Sequence, residues 1–190
     1  MRDDGVGRVL LASLHQGIAD ILPTRLGFYE SWLHAEGLRD ATIGLAPLYA
    51  VLSFLRQEGT AYTTITTSAG EYAAEWTVQS MSSFERSFVK SAPHWLRSRL
   101  VLRLAGRLVH NSYRSARLGT RLRKGTAALA LGSSVFCDVR EPVGHALCGF
   151  YAAAFARLFA LFNLPAKIDI ASCRAAGDPA CVMTVTIEQD

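Results

Sequence analysis

Cys173-Arg174-Ala175-Ala176-Gly177-Asp178-Pro179-Ala180-Cys181 is the stretch on which the reading of the chain turns. Gly177, Asp178 and Pro179 are turn residues. Glycine supplies positive φ, aspartate hydrogen-bonds its own backbone, and proline presets φ. On either side, residues 167–173 and 181–188 alternate apolar and polar side chains, the period of a half-buried strand. The unit is a β-hairpin with a cysteine at each shoulder, and a hairpin brings two such positions close across its strands.

Upstream, residues 142–162 read as a helix opened by Pro142 and closed by Asn163 and Pro165. The apolar window 143–162 is nearly long enough to span a bilayer. His145, Arg157 and many small residues argue instead for a core helix with no transmembrane role. Cys148 falls in the first turns of this helix. Packed over the hairpin, it brings a third sulfur to Cys173 and Cys181, and three thiolates are three of the four ligands of a tetrahedral zinc site. The fourth stays open. His145 lies one helical turn before Cys148. Asp169 is an even number of residues before Cys173, hence on the same strand face. Cys137 and water are the remaining options. Buried cysteines also serve as small hydrophobes.

The rest of the chain is mainly helical. Residues 7–22 place Leu10, Leu11, Leu14, Ile18 and Ile21 on one face, with Pro23 as the stop. A second helix covers 25–34. A third, capped by Asp40 or Thr42, runs to Gln57 before Gly59. Residues 62–67, rich in Thr and Ile, fit a strand or a helix start equally. Residues 70–79 are helical, a serine-rich break covers 80–83, a short basic helix reaches Lys90, and Pro93 opens a long helix to about Arg117. Strands are expected at 120–122 and 126–131 around the turn Arg123-Lys124-Gly125, and again at 132–139.

Half of the residues are hydrophobic and 19% are charged, with a net charge of +4. That composition suits one α/β (α+β) domain, with 1–60 as an N-terminal helical segment and 61–190 as the main unit, together one compact body. Between Trp95 and Lys124 there are nine Arg or Lys residues and no acid. Such a block attracts phosphates, carboxylates or anionic lipid. No helix-turn-helix signature accompanies it, so nucleic acid is not an expected partner. The acidic opening Met1-Arg2-Asp3-Asp4-Gly5 lacks a secretory pattern, which points to the cytoplasm. In that compartment clustered cysteines favour metal or redox chemistry over disulfides. No nucleophile elbow, dinucleotide fingerprint or phosphate loop is present. Catalytic residues are therefore not assigned.

The string Cys148-Gly149-Phe150-Tyr151, a helix, and then the hairpin from Cys173 to Cys181 resembles the C-terminal signature of the 4-vinyl-reductase (hydrocarbon-binding) domain family. The stretch Ser68-Ala69-Gly70-Glu71-Tyr72-Ala73-Ala74-Glu75 resembles its upstream helix. The resemblance covers about residues 62–187. It implies a helical layer on a small antiparallel sheet, the fold of Bet3-type TRAPP subunits and, more distantly, of haem-based nitric-oxide sensors. It also implies zinc held by Cys148, Cys173 and Cys181. The family often has Glu three residues before the first hairpin cysteine. Here that residue is Ile170, so His145, Asp169, Cys137 or water must complete the set.

The resemblance further implies a small hydrophobic ligand, such as a tetrapyrrole intermediate of bacteriochlorophyll synthesis, held by a carrier or an accessory to 4-vinyl reduction rather than by an enzyme. The alternatives are a dimeric TRAPP-like adaptor and an aromatic-compound sensor. Candidate pocket residues are Trp76, Trp95, Phe150, Tyr151, Phe155 and Phe159, which also fit a plain core. Arg103, Arg107 and His110 are candidates for the anionic groups of a ligand, with His110 as an axial ligand if haem binds. A homodimer and a partner enzyme of the same pathway are the expected protein partners.

Overall fold

The computed structural model describes residues 5–40, 43–123 and 125–188. Its helices are α1 (Arg8–Ile21), α2 (Leu26–Glu30), α3 (Ala35–Asp40), α4 (Leu45–Gln57), α5 (Thr60–Gln79), α6 (Ser83–Ser91), α7 (His94–Ser112) and α8 (Gly149–Leu161). The strands are β1 (Leu118–Arg123), β2 (Thr126–Leu131), β3 (Ala166–Ser172) and β4 (Cys181–Ile187). They form one antiparallel sheet in the order β1-β2-β4-β3. A helical layer on a small antiparallel sheet is the fold class expected from the sequence.

The alternation in the strands has the consequence it should. On β2, Ala127, Leu129 and Leu131 are buried, and on β4 so are Cys181, Met183, Val185 and Ile187. This face carries α8, whose Phe150, Tyr151, Ala154, Phe155, Leu158 and Phe159 are fully buried. One continuous core runs from α1 to β4.

At the centre, α5 lies between α1 and α8, and small residues bring the backbones together. A Cβ on Gly17 of α1 would stand 2.8 Å from the Ile65 carbonyl oxygen of α5, and one on Gly70 of α5 would stand 2.2 Å from the Phe150 carbonyl oxygen of α8. Such approaches leave no space for a bulky group between these helices. Arg157 of α8 closes the outer rim, its Nε and Nη2 donating to Glu75 Oε1 of α5 at 2.8 and 2.6 Å.

Several boundaries differ from the sequence reading. Residues 62–67 are helical, not extended, inside the 20-residue α5. The Thr66 and Thr77 hydroxyls donate back to the carbonyls of Tyr62 and Ala73, at 2.9 and 2.7 Å, which satisfies them within the helix. The serine-rich break is a capping box, in which Glu85 N donates to Ser82 Oγ and Ser82 N donates to Glu85 Oε2. The helix expected to start near Asp40 or Thr42 starts at Leu45 with Gly44 as its cap. Thr42 and the side chain of Asp40 lie outside the described residues, as does Lys124 of the β1–β2 turn. The segment 132–139 is a loop rather than a strand, and α7 ends at Ser112 instead of Arg117. The last helix begins at Gly149, not Pro142. Gly144 has a φ of +74°, a left-handed turn that a continuous helix does not allow.

Candidate metal centre

Each of the four cysteines is delivered by a different local device. Cys137 sits in a turn after β2, its amide donating to the Ser134 carbonyl at 3.1 Å. Cys148 is the N-cap of α8, and its carbonyl accepts from the amides of Tyr151 and Ala152. Cys173 follows β3, with its amide tied to Asp178 Oδ2 at 2.8 Å across the hairpin turn. Gly177, at a φ of +101°, permits that turn. Cys181 is the first residue of β4.

The four side chains converge. Exposure is 3% for Cys137, 0% for Cys148 and 1% for both Cys173 and Cys181, so the cluster is sealed from water. All four sulfurs lie within 4.8 Å of one another and all four thiols are free. Cys148 Sγ is 3.2 Å from Cys137 Sγ and 3.1 Å from Cys173 Sγ, and Cys137 Sγ is 3.5 Å from Cys173 Sγ. Thiolates at the zinc–sulfur distance of about 2.3 Å stand about 3.8 Å apart at the corners of a tetrahedron, which lies within the 4.8 Å span of this cluster.

Electrostatics point the same way. Hydrogen bonds with Cys137 and Cys181, then burial, push the Cys148 thiol far above the ordinary thiol range. Cys181 is held low by the hydrogen bonds of Cys137 and Cys148. A cation among the sulfurs would favour thiolate over thiol and so oppose the effect of burial on Cys148. Backbone amides already serve sulfur: Leu147 N donates to Cys173 Sγ and Arg174 N to Cys181 Sγ, both at 3.4 Å. Such bonds favour thiolate over thiol and orient the ligands. Soft donors in a closed tetrahedral set suit zinc, with iron or Cu(I) as chemical competitors.

Cys148, Cys173 and Cys181 are thus brought together, and Cys137 occupies the fourth corner. His145 is not in the cluster. It lies in the loop before α8, exposed, with Nδ1 3.0 Å from the Val143 carbonyl oxygen. Asp169 is exposed as well and pairs with Lys167 at 2.9 Å. Its even spacing from Cys173 misleads because the β3–β4 register shifts between Ile170 and Ser172, and an irregularity there cancels the parity.

The aromatic candidates separate into two sets. Phe150, Tyr151, Phe155 and Phe159 are core, and Phe136 stacks on Phe150 at 4.8 Å between ring centroids, forming a shield beside the cysteines. Trp76 stacks on Tyr72 at 5.7 Å, half-buried. Trp95 is 60% exposed. Arg103, Arg107 and His110 are exposed on α7, and His110 lines a surface cleft with Arg114 and Arg117.

The open space lies elsewhere. A cleft of about 450 Å³ is lined by Arg56, Tyr62, Thr63, Val143, His145 and Leu147, among others. It meets a second cleft, of about 780 Å³, at Arg56 and Val143; the second is lined by Tyr49, Ser53, Asp138, Val139, Arg140 and Glu141 as well. One wall of this trough is α4 and the start of α5. The other is the loop 138–147, each end of which adjoins a cysteine of the cluster. Tyr49 bridges the walls, its hydroxyl donating to Asp138 Oδ2 at 2.7 Å. Val143 N donates to the Ala175 carbonyl at 2.8 Å, pinning the loop to the hairpin turn. Apart from His145, the sequence does not single out these residues, because a trough between a helix and an irregular loop has no local periodic signal.

No family model matches the chain, and no curated protein matches it. Among solved structures, an H-NOX protein from S. oneidensis in its Fe(II)NO ligation state is similar, with a TM-score of 0.53 and 12% identity over 96% of this chain and 99% of that one. The chain therefore has an H-NOX-like α+β fold, and within it a buried four-cysteine cluster able to hold a metal ion. Among the described residues no helix is long and apolar enough to cross a membrane.

Proposed function

We propose that the protein is a small-molecule-binding domain of the 4-vinyl-reductase (hydrocarbon-binding) type, in which a structural zinc ion organises the binding trough. The observation that carries this reading is the convergence of Cys137, Cys148, Cys173 and Cys181. Cys137 replaces the family's glutamate, which Ile170 cannot supply. Four protein donors close the tetrahedron and leave no position for an activated water, so the metal's contribution is structural rather than hydrolytic. Because the loop 138–147 is anchored at both ends by metal ligands, holding the metal also holds one wall of the trough.

The trough's lining defines its ligand class. Val139, Val143 and Leu147 offer apolar surface, and Arg56 and Arg140 offer charge for anionic groups. An amphipathic molecule with a flat apolar body and carboxylates fits, and a tetrapyrrole intermediate is one example. Axially ligated haem fits these residues poorly. His110 is on the surface, and the interior between α1, α5 and α8 is closed by the approaches at Gly17 and Gly70. The trough supports a carrier or accessory role for the protein.

Native mass spectrometry tests both parts. The freshly purified chain is expected to exceed its denatured mass by one zinc, with additional organic mass in a fraction of molecules. Cys137→Ser is expected to reduce bound zinc below half of the wild-type stoichiometry, while His145→Ala leaves it unchanged. Equal zinc loss in both variants, or none in Cys137→Ser, would overturn the four-cysteine assignment.

A further inference from the structure

The α6–α7 face is unlike the rest of the surface. Phe84 is 80% exposed, Phe88 52% and Trp95 60%. Three protruding aromatic rings on adjacent helices are costly in water, and patches of this kind mark interaction sites. Phe84 and Phe88 flank a shallow apolar groove of about 250 Å³ floored by Met81, Val89, Leu100 and Leu104. Arg103 and Arg107 rim the groove, and the guanidinium of Arg99 lies 5.7 Å from the centroid of the Trp95 ring.

Arg103 and Arg107 are one turn apart on α7 and border this groove, whereas Trp95 and Arg99 line a separate cleft with Leu122 and Ile187. Between Ser80 and Lys124 there are eleven Arg or Lys residues and a single acid, Glu85. That acid is engaged locally, accepting from the Ser82 amide and hydroxyl. The face therefore joins positive charge to protruding apolar rings, with Glu85 on the groove lining as its one acid.

We propose that the α6–α7 face docks the protein on an anionic lipid surface, with Phe84 and Phe88 inserted at headgroup depth and Arg103 and Arg107 on lipid phosphates. Charge complementarity selects this occupant. Anionic leaflets attract clustered arginines, and phenylalanine rings on the same surface bury themselves at the headgroup–acyl boundary. The geometry fits as well: the rings protrude from convex helices, which suits a fluid that closes around them.

Cosedimentation of the full chain with vesicles tests this, using phosphatidylcholine alone and phosphatidylcholine with about 30% phosphatidylglycerol. Binding is expected only with the anionic lipid and should weaken steeply with added salt, since screening shortens the reach of charge. Phe84→Ser with Phe88→Ser should reduce the bound fraction at least tenfold, and Arg103→Glu with Arg107→Glu likewise. These side chains are exposed, and unchanged melting temperature and zinc content will show that the variants fold. Failure of the wild type to bind anionic vesicles at low salt would overturn the proposal. So would binding that survives both double variants, or a wild-type dimer in sedimentation velocity that Phe84→Ser with Phe88→Ser converts to monomer. The last result would identify a second copy of the chain as the occupant of the face.

Discussion

Removing the metal with a strong chelator is expected to lower the melting temperature of this protein by roughly 8–16 °C, and readdition of zinc to restore it. The four cysteines come from a loop, a helix cap and both shoulders of a hairpin, spread over residues 137 to 181. In the unfolded chain that site does not exist, so the binding free energy becomes folding free energy. A ligand present at about 1,000 times its dissociation constant adds about 4 kcal/mol, and for a chain of this size each kcal/mol moves the midpoint by roughly 2–4 °C. The sign also follows from the metal-free cluster. Without a cation, burial and the neighbouring sulfurs hold the Cys148 thiol protonated, and a bound cation would offset that cost. Local effects should be largest at the trough. Exchange protection of the amides in 138–147 is expected to fall before that of β2 or β4. A chelated protein that melts within 2 °C of the untreated one would mean that the sulfurs are merely core atoms.

What the sequence disclosed and what it concealed have separate physical origins. The hairpin and its two cysteines were legible because a two-residue period and Gly-Asp-Pro are local signals. Cys148 was legible because a helix following a loop must pack on that hairpin. Cys137 was only one option among several, since nothing local distinguishes a loop cysteine that meets its partners through tertiary folding. His145 looked attractive only while the helix was drawn from Pro142. Pro142-Val143-Gly144 is in fact a turn signal, and Gly144 takes the left-handed conformation that ends the argument. Asp169 failed through a register shift that parity counting cannot see.

Residues 62–67 carry β-branched side chains, yet they are helical because α5 must pass between α1 and α8, where Thr, Ala and Gly are what fits. Packing overrides a propensity of a few tenths of a kcal/mol per residue. The aromatic residues show the same limit. Periodicity identified α8 as apolar, but not whether Phe150, Phe155 and Phe159 fill a core or line a cavity. Full burial and the Phe136–Phe150 stack answer for the core. The surface aromatics Phe84 and Trp95 could be recognised only once the faces of α6 and α7 were known.

Gly70→Ala is expected to be among the most damaging single-methyl additions, lowering stability by about 3 kcal/mol, the upper part of the overpacking range. The added Cβ would stand 2.2 Å from the Phe150 carbonyl oxygen, 3.0 Å from the Ala154 nitrogen and 3.1 Å from the Ala153 Cβ. Two of those atoms are backbone, so no rotamer change relieves the clash, and α5 and α8 must separate. Separation would also move Cys148, the cap of α8, away from Cys137, Cys173 and Cys181, so zinc affinity should fall together with stability. Gly106→Ala is the matched control. Gly106 is likewise within a helix, α7, but nothing lies within 4 Å of the position its Cβ would take. There the methyl only raises helix propensity and restricts the unfolded chain, worth about 0.5–1 kcal/mol in the stabilising direction. The same chemical change should thus shift thermal midpoints in opposite directions at the two sites. A Gly70→Ala midpoint at or above wild type would show that α5 and α8 are not in backbone contact, and would reopen the interior between them as a place for a ligand.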